Sequence, residues 1–193
     1  AAGEDAMSFR RRKDGGYTMA SLGVNHLWVG PDALRHVPHY RQLIVGGDFG
    51  MSYRPPAPKD WPDGLFTKRR WRLDQETPFE RMRVLDPQPS DKALDRMLDK
   101  FAARFPNVGR PKVARRWAGM IDTMPDVVPI VDHAPIEGLS ICTGMCGHGF
   151  GIGPAFGRIM ADMMVGRDVG HDLTRFRLAR FDSYAKLELG PDV

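Results

Sequence analysis

Residues 138–166 read GLSICTGMCGHGFGIGPAFGRIMADMMVG, and they carry the chain's clearest chemical signal. Five of the ten residues from Gly144 to Gly153 are glycine, interrupted by Met145, Cys146, His148, Phe150 and Ile152. Glycine removes Cβ, so a ligand can approach bare main chain and the backbone can enter positive φ. A short apolar run, 139–143, reads as a buried strand before this loop. Residues 154–165 read as a helix after it, with Pro154 in the first turn, where a missing N–H costs nothing. Phe156, Ile159, Met160, Met163 and Met164 recur at i, i+3, i+4, i+7 and i+8, which marks one apolar face. Gly166 supplies a C-terminal stop. A helix start offers unpaired N–H groups and partial positive charge, so this arrangement suits a flat or electron-rich ligand. The competing reading is a glycine-rich turn that only lets a helix pack on a sheet.

Two common phosphate-binding patterns are absent. A G-x-G-x-x-G starting at Gly147 or Gly149 would need glycine at Ile152 or Pro154, and no Gly-Lys-Ser/Thr follows the loop. Cys142, Cys146 and His148 supply only three soft ligands at unsuitable spacing, so no metal site is expected.

Three runs resemble the C-terminal signature of the FAD-dependent amine and amino-acid oxidoreductases. They are Arg116-Trp117-Ala118-Gly119, then Thr123-Met124-Pro125-Asp126-Val127-Val128-Pro129-Ile130, then Gly144-Met145-Cys146-Gly147-His148-Gly149-Phe150-Gly151-Ile152-Gly153-Pro154. This superfamily includes D-amino-acid oxidase, glycine oxidase, sarcosine oxidase and D-amino-acid dehydrogenase. A weaker likeness reaches back to Asp14-Gly15-Gly16-Tyr17. The resemblance implies FAD as cofactor, with contacts from Trp117, Gly119, Gly144, Met145, Gly147, His148, Gly149, Phe150, Gly151, Ile152, Gly153 and Pro154. It also implies a small amine or amino-acid substrate oxidised at a C–N bond by hydride transfer to flavin. Negative charge that develops at the flavin N1–C2=O edge would meet the helix start, and the N–H groups of Gly151, Ile152 and Gly153 are the expected donors. His148 has two open readings, flavin contact or loop packing. Tyr53 and Arg54, with His148, are the candidates for substrate binding, because an Arg fork matches a carboxylate.

Departures from the family are also informative. Glycine-oxidase-like relatives carry an arginine shortly after W-A-G, where this chain has Met120 and Ile121. Sarcosine-oxidase-like relatives carry lysine after G-H-G-F, where this chain has Gly151. Their flavin-linking cysteine, near the position of Trp117, is missing, so the expected FAD is non-covalent. Relatives also begin with a dinucleotide-binding βαβ unit, and none is readable here. The chain is therefore expected to work with a missing N-terminal FAD-binding half or a partner subunit. A non-catalytic subunit and an NAD(P)-binding reductase are the alternatives.

The elements that would position these groups follow an α+β pattern. The expectation is a mixed or antiparallel substrate-domain sheet with packed helices over 1–117. Over 118–193 it is the last strand-loop-helix of an FAD-binding, Rossmann-like domain. Strands are expected near 9–13, 17–22, 26–29, 67–73 and 112–117. Short helices are expected at 31–35, 40–45 and 78–84, with residues 46–64 as loop. Residues 91–105 form the best helix outside the glycine stretch. Ser90 is placed to cap it, and Leu94, Met97, Leu98, Phe101, Ala102 and Phe105 share a face. Residues 172–187 read as a final helix.

Composition places this within ordinary globular limits: 193 residues, 42% hydrophobic and 27% charged. No apolar run nears the roughly 20 residues that span a bilayer. Net charge is +4. The clusters at 10–13 and 68–70 read as solvated edges, and no nucleic-acid partner is expected. Two cysteines suggest reduced thiols and a cytoplasmic setting.

Overall fold

The computed structural model describes residues 7–21, 25–46, 51–54, 57 and 61–190. The chain forms two compact units, one from residues 1–35 and 48–120, the other from 36–47 and 121–193. A single cut at 117/118 differs from this division mainly in residues 36–47, which group with the C-terminal segment.

In the first unit, β1 (Met7–Arg11) and β2 (Tyr17–Ser21) form an antiparallel hairpin, with Met7 opposite Ser21 and Arg11 opposite Tyr17. Its turn closes through Arg12 N–H to the Gly16 carbonyl at 2.8 Å, with Gly15 at φ 83°. β3 (Asn25–Trp28) pairs with β4 (Met51–Arg54) in parallel. The expected sheet is therefore two separate two-stranded ladders among the described residues. Helix α1 (Pro31–His36) follows β3; α2 (Arg41–Gly46) lies in the second unit, and α3 is short (Pro78–Arg81). The first turn of α3 is held by a reciprocal cap between Thr77 and Glu80. Helix α4 (Asp91–Arg104) buries Ala93, Met97 and Leu98. Phe9 of β1 meets Phe101 and Phe105 edge-on at 6.0 and 5.9 Å, so the helix end packs on the hairpin. Ser90 occupies the N-cap position but makes no side-chain cap bond.

Residues 67–73 and 112–117 are not strands. The first segment folds on itself, with Thr67 bonded to Gly64 and Trp61 carbonyls and Gln75 N–H to Arg72. In the second, Arg116 is drawn to Asp91 and Asp95 of α4, and no ladder partner exists among the described residues. Alternating charge alone does not make a strand without an edge to pair with.

In the second unit, β5 (Ile130–His133) and β6 (Ser140–Thr143) pair antiparallel, Ile130 opposite Thr143. Helix α5 (Gly149–Met164) lays Phe156 and Ile159 against Val131 and Leu173. Ile152, Met160 and Met163 flank that core, whereas Met164 lies at the stripe's edge, 70% exposed. The final helix expected over 172–187 is replaced by 3₁₀ segments, Thr174–Phe176 and Leu178–Lys186. Asp172 caps Thr174 N–H, and Leu178 N–H goes to Asp132 instead of an i−4 carbonyl. No helix among the described residues is long and apolar enough to cross a membrane.

Candidate functional site

The glycine stretch lies between β6 and α5, in the second unit. Its entry is tightly specified. Gly144, Cys146 and Gly147 have φ of 73°, 51° and 81°, in the left-handed region. Gly144 is required twice over, since a Cβ there would also collide with the Met124 side chain. Cys146 is fully buried; its thiol donates to the Gly144 carbonyl at 3.0 Å and its sulfur accepts from Met124 N–H at 3.3 Å. Burial pushes the Cys146 thiol pKa up. Asp122 holds the same turn from outside, accepting Met145 N–H at 3.1 Å and Cys146 N–H at 3.2 Å.

Helix α5 begins at Gly149, five residues before the expected start, and Pro154 lies inside it. His148 is the N-cap residue, and its carbonyl accepts both Gly151 and Ile152 N–H groups at 3.0 and 3.2 Å. Two of the three expected donors are thus spent within the helix, and Gly153 lies a further residue inside. The first-turn N–H groups of Gly149 and Phe150 have no hydrogen-bond partner among the described residues. Phe150 is 98% exposed beside them. Gly151 and Gly153 have open space where a Cβ would stand. Pro154 lacks the N–H that would bond the Phe150 carbonyl, which loosens this turn. Met145 and Ile152 turn their side chains toward the Val131–Phe156 core, so a ligand can reach them only through main chain. The imidazole of His148 makes no side-chain cap bond.

Two N–H donors without a partner among the described residues and an exposed aromatic ring are groups that could meet the electron-rich edge of an isoalloxazine. Glycines 149, 151 and 153 and Phe150 are the residues of this unit that could hold one.

Behind the loop, residues 125–132 are the longest buried run among the described residues. Asp126 and Arg180 form an ion pair with both side chains almost sealed, Nε to Oδ2 at 2.6 Å. Arg180 also donates to the Val128 and Arg177 carbonyls. Asp132 accepts from Arg177 at 2.7 Å, Leu178 N–H at 2.9 Å and His133 N–H at 2.9 Å. Desolvation pulls the Asp132 pKa up, but these bonds, the one from Leu178 first, outweigh it and set it below the ordinary carboxylate value. Tyr40 Oη donates to the Thr123 carbonyl at 2.8 Å, just ahead of this run. Sequence reasoning missed both arginines. They stand 54 and 45 residues from their carboxylates, in a segment whose pattern suggests only a polar helix.

The other expected residues belong to the first unit. Trp117 is half exposed and Gly119 has open space at its Cβ position. Arg116, next to Trp117, is fixed to α4 by Asp91 and Asp95, both at 2.7 Å. Tyr53 and Arg54 fall within β4, not in a loop. Adjacent strand residues project to opposite faces, so the strand does not converge them on one carboxylate. Arg54 instead sits on the face of Ser52 and His26, 3.4 Å from the His26 ring, and His26 bonds Ser52. Burial, then the Arg54 charge, holds the His26 pKa low. A recess of about 630 Å³, lined by Leu65, Phe66, Trp71 and Arg81 among others, contains no expected site residue. Among the described residues no His, Cys, Asp and Glu cluster could hold a metal ion.

Residues 6–163 match the family described as FAD dependent oxidoreductase, DAO. Over 89 residues the chain is 35% identical to sarcosine oxidase subunit beta of Rhizobium meliloti, covering 46% of this chain and 21% of that protein. Over 61 residues it is 44% identical to N-methyl-L-tryptophan oxidase of Salmonella newport, covering 31% and 16%. Among solved structures it resembles L-amino acid deaminase from Proteus vulgaris, with TM-score 0.78 and 27% identity, over 91% of this chain and 40% of that one. The enzyme from Proteus myxofaciens, solved with anthranilate, gives TM-score 0.80 and 25% identity over 92% and 39%. The chain therefore spans well under half the length of each of these relatives. The family match extends over both units and takes in the braced glycine turn, and on that ground the chain belongs to the FAD-dependent oxidoreductase family.

Proposed function

We propose that this chain supplies part of an enzyme that oxidises the C–N bond of an amine or amino acid, with FAD as non-covalent cofactor. FAD, when bound, supplies the acceptor for a hydride. The chain's own part is to present the open end of α5. Gly149 and Phe150 would offer their N–H groups to the cofactor, Gly151 and Gly153 would leave room for it, and fixed dipoles of this kind would need no rearrangement as charge develops. Met145, Gly147, His148, Ile152 and Pro154 shape this end, chiefly through main chain. The second unit is the return into the FAD-binding domain, and the first unit, with Trp117 and Gly119, is the substrate domain. Arg54 and Tyr53 act from different faces of β4, and Arg54 is the better partner for a substrate carboxylate. The diphosphate-holding portion lies on polypeptide outside these 193 residues or on a partner subunit. The free thiols of Cys142 and Cys146 fit a reducing, cytoplasmic setting.

The observation that carries this reading is the pair of first-turn N–H groups, those of Gly149 and Phe150, without a partner among the described residues, beside the open Cβ positions of Gly151 and Gly153. The absent cysteine near Trp117 supports the non-covalent form.

The test is spectroscopic. The complete enzyme should be yellow, and its flavin should appear in the supernatant after acid precipitation. Anaerobic addition of sarcosine, N-methyl-L-tryptophan or a set of L- and D-amino acids should bleach the flavin band. A colourless enzyme that takes up no added FAD would overturn the proposal. Flavin left in the protein pellet would overturn the non-covalent part.

A further inference from the structure

The loop entry carries an energetic problem that the cofactor reading leaves open. Three of the four residues 144–147 sit at positive φ, and one of them, Cys146, has a side chain. A non-glycine residue there costs on the order of 1–3 kcal/mol and persists only where surroundings over-determine it. Successive main-chain N–H groups in such a conformation also converge, forming a concavity that attracts an anion. In this protein the concavity is filled from within. The two oxygens of Asp122 take one N–H each, Oδ2 from Met145 and Oδ1 from Cys146. Asp122 lies 23 and 24 residues before them, just ahead of the Thr123–Met124 stretch that closes over Gly144 and the Cys146 sulfur.

We propose that Asp122 is a positioning residue for the cofactor loop, its carboxylate acting as the built-in anion that holds the 144–147 turn. It acts through Met145 and Cys146, not by touching substrate or cofactor. His148 N–H bonds the Met145 carbonyl, so the position of Met145 passes directly into the first turn of α5. Satisfying Met145 and Cys146 internally also leaves Gly149 and Phe150 as the donors near this turn without a partner among the described residues. Charge and shape are both needed. An asparagine has one accepting oxygen, and its NH₂ would face the second N–H donor to donor.

The consequence for FAD rests on the function proposed above; the consequence for the loop does not, and two measurements on the complete enzyme separate them. The first is residue-resolved amide exchange of the cofactor-free enzyme. Asp122→Ala should speed exchange at both Met145 and Cys146 by about tenfold or more, with Val131 and Ile159 unchanged. Asp122→Asn should release one of the two amides and spare the other. Unchanged rates at both amides in both variants would refute the positioning role, whether or not the enzyme binds flavin. The second is FAD titration followed by visible absorbance. The variants should bind FAD about tenfold more weakly or worse, with an altered band shape, while the melting temperature of the cofactor-free enzyme stays near wild type. Selective loosening with unaltered FAD affinity and spectrum would refute the link to the cofactor. Wild-type enzyme that binds no FAD would instead refute the proposed function and leave the loop result standing.

Discussion

Arg180→Ala is the substitution that should cost this fold most. Asp126 is only 2% exposed, and the Arg180 side chain 11%. The guanidinium meets both carboxylate oxygens, at 2.6 and 3.3 Å, and donates to the carbonyls of Val128 at 2.5 Å and Arg177 at 3.0 Å. Alanine would leave a buried carboxylate with the Val128 N–H at 3.2 Å as its remaining partner. Removing one member of a buried pair costs about 3–5 kcal/mol, because the other charge stays desolvated. Set against a total stability of roughly 5–15 kcal/mol, that is a large fraction of what holds a domain folded. The melting temperature should fall by roughly 6–20 °C. Arg177→Ala is the internal control. Its side chain is half exposed and Asp132 keeps two main-chain donors, so about 1 kcal/mol is expected. Guanidinium unfolding of wild type, both single variants and the double variant Asp126→Leu/Arg180→Met completes the set. The double variant should recover most of the loss, since apolar replacement removes the stranded charge. If Arg180→Ala costs no more than Arg177→Ala, the burial reasoning is wrong.

Three further outcomes follow from single sites. Because its folded pKa lies below the ordinary 3.8, Asp132 contributes stability that is present above that value and lost as pH falls through the folded pKa. Chemical melts from about pH 5 to about pH 2 should show a smaller acid loss in Asp132→Asn than in wild type. Gly144→Ala must place a Cβ against Met124 at φ 73°, so its unfolding free energy should drop by about 2–5 kcal/mol; Gly15→Ala, at φ 83° with open space, should lose only about 1–2 kcal/mol. Thiol labelling should modify exposed Cys142 well before buried Cys146, whose reaction should await unfolding; equal labelling rates in native buffer would contradict the packing of the loop.

Local pattern announced the elements whose burial is local. The period of Met97, Leu98 and Phe101 is that of α4; the apolar run before Gly144 does form β6, but as a half-buried to exposed strand and not the buried one expected, because among the described residues it pairs only with β5. Phe156, Ile159, Met160 and Met163 likewise mark the buried face of α5. The start of α5 was misread for a physical reason. Pro154 is a good first-turn residue and glycine a poor helix former, so propensity places the boundary at the proline. Tertiary packing wins instead: Ile152 and Met145 pack against the core, and the His148 carbonyl closes the first turn over two glycines, Gly149 and Gly151. The same logic explains the last segment. Residues 172–187 have helical composition, yet Asp132 takes the Leu178 N–H and Asp126 takes Arg180. A bond between residues about fifty positions apart leaves no trace in periodicity. Tyr53 and Arg54 lie in β4 and not in the expected loop, so as neighbouring strand positions they project to opposite faces.

The earlier start of α5 changes what the glycines do. Were residues 149–153 a loose loop, five main-chain amides could each turn to a ligand, and ordering them would cost entropy on every binding event. Wound into the helix, Gly149 and Phe150 keep N–H groups without a partner among the described residues, while those of Gly151 and Ile152 are taken by the His148 carbonyl. The glycines are then tolerated in a helix for the clearance they leave, despite a cost of about 0.8–1.0 kcal/mol each relative to alanine. That deficit has to be offset elsewhere in the second unit. The packing of Phe156 and Ile159 on Val131 and the sealed Asp126–Arg180 pair behind β5 are the features placed to do so. A segment that is weak as a helix and fixed by its neighbours is preorganised by tertiary contacts. Substitutions at those neighbours, remote from the open helix end, should therefore loosen it as effectively as substitutions within the glycines themselves.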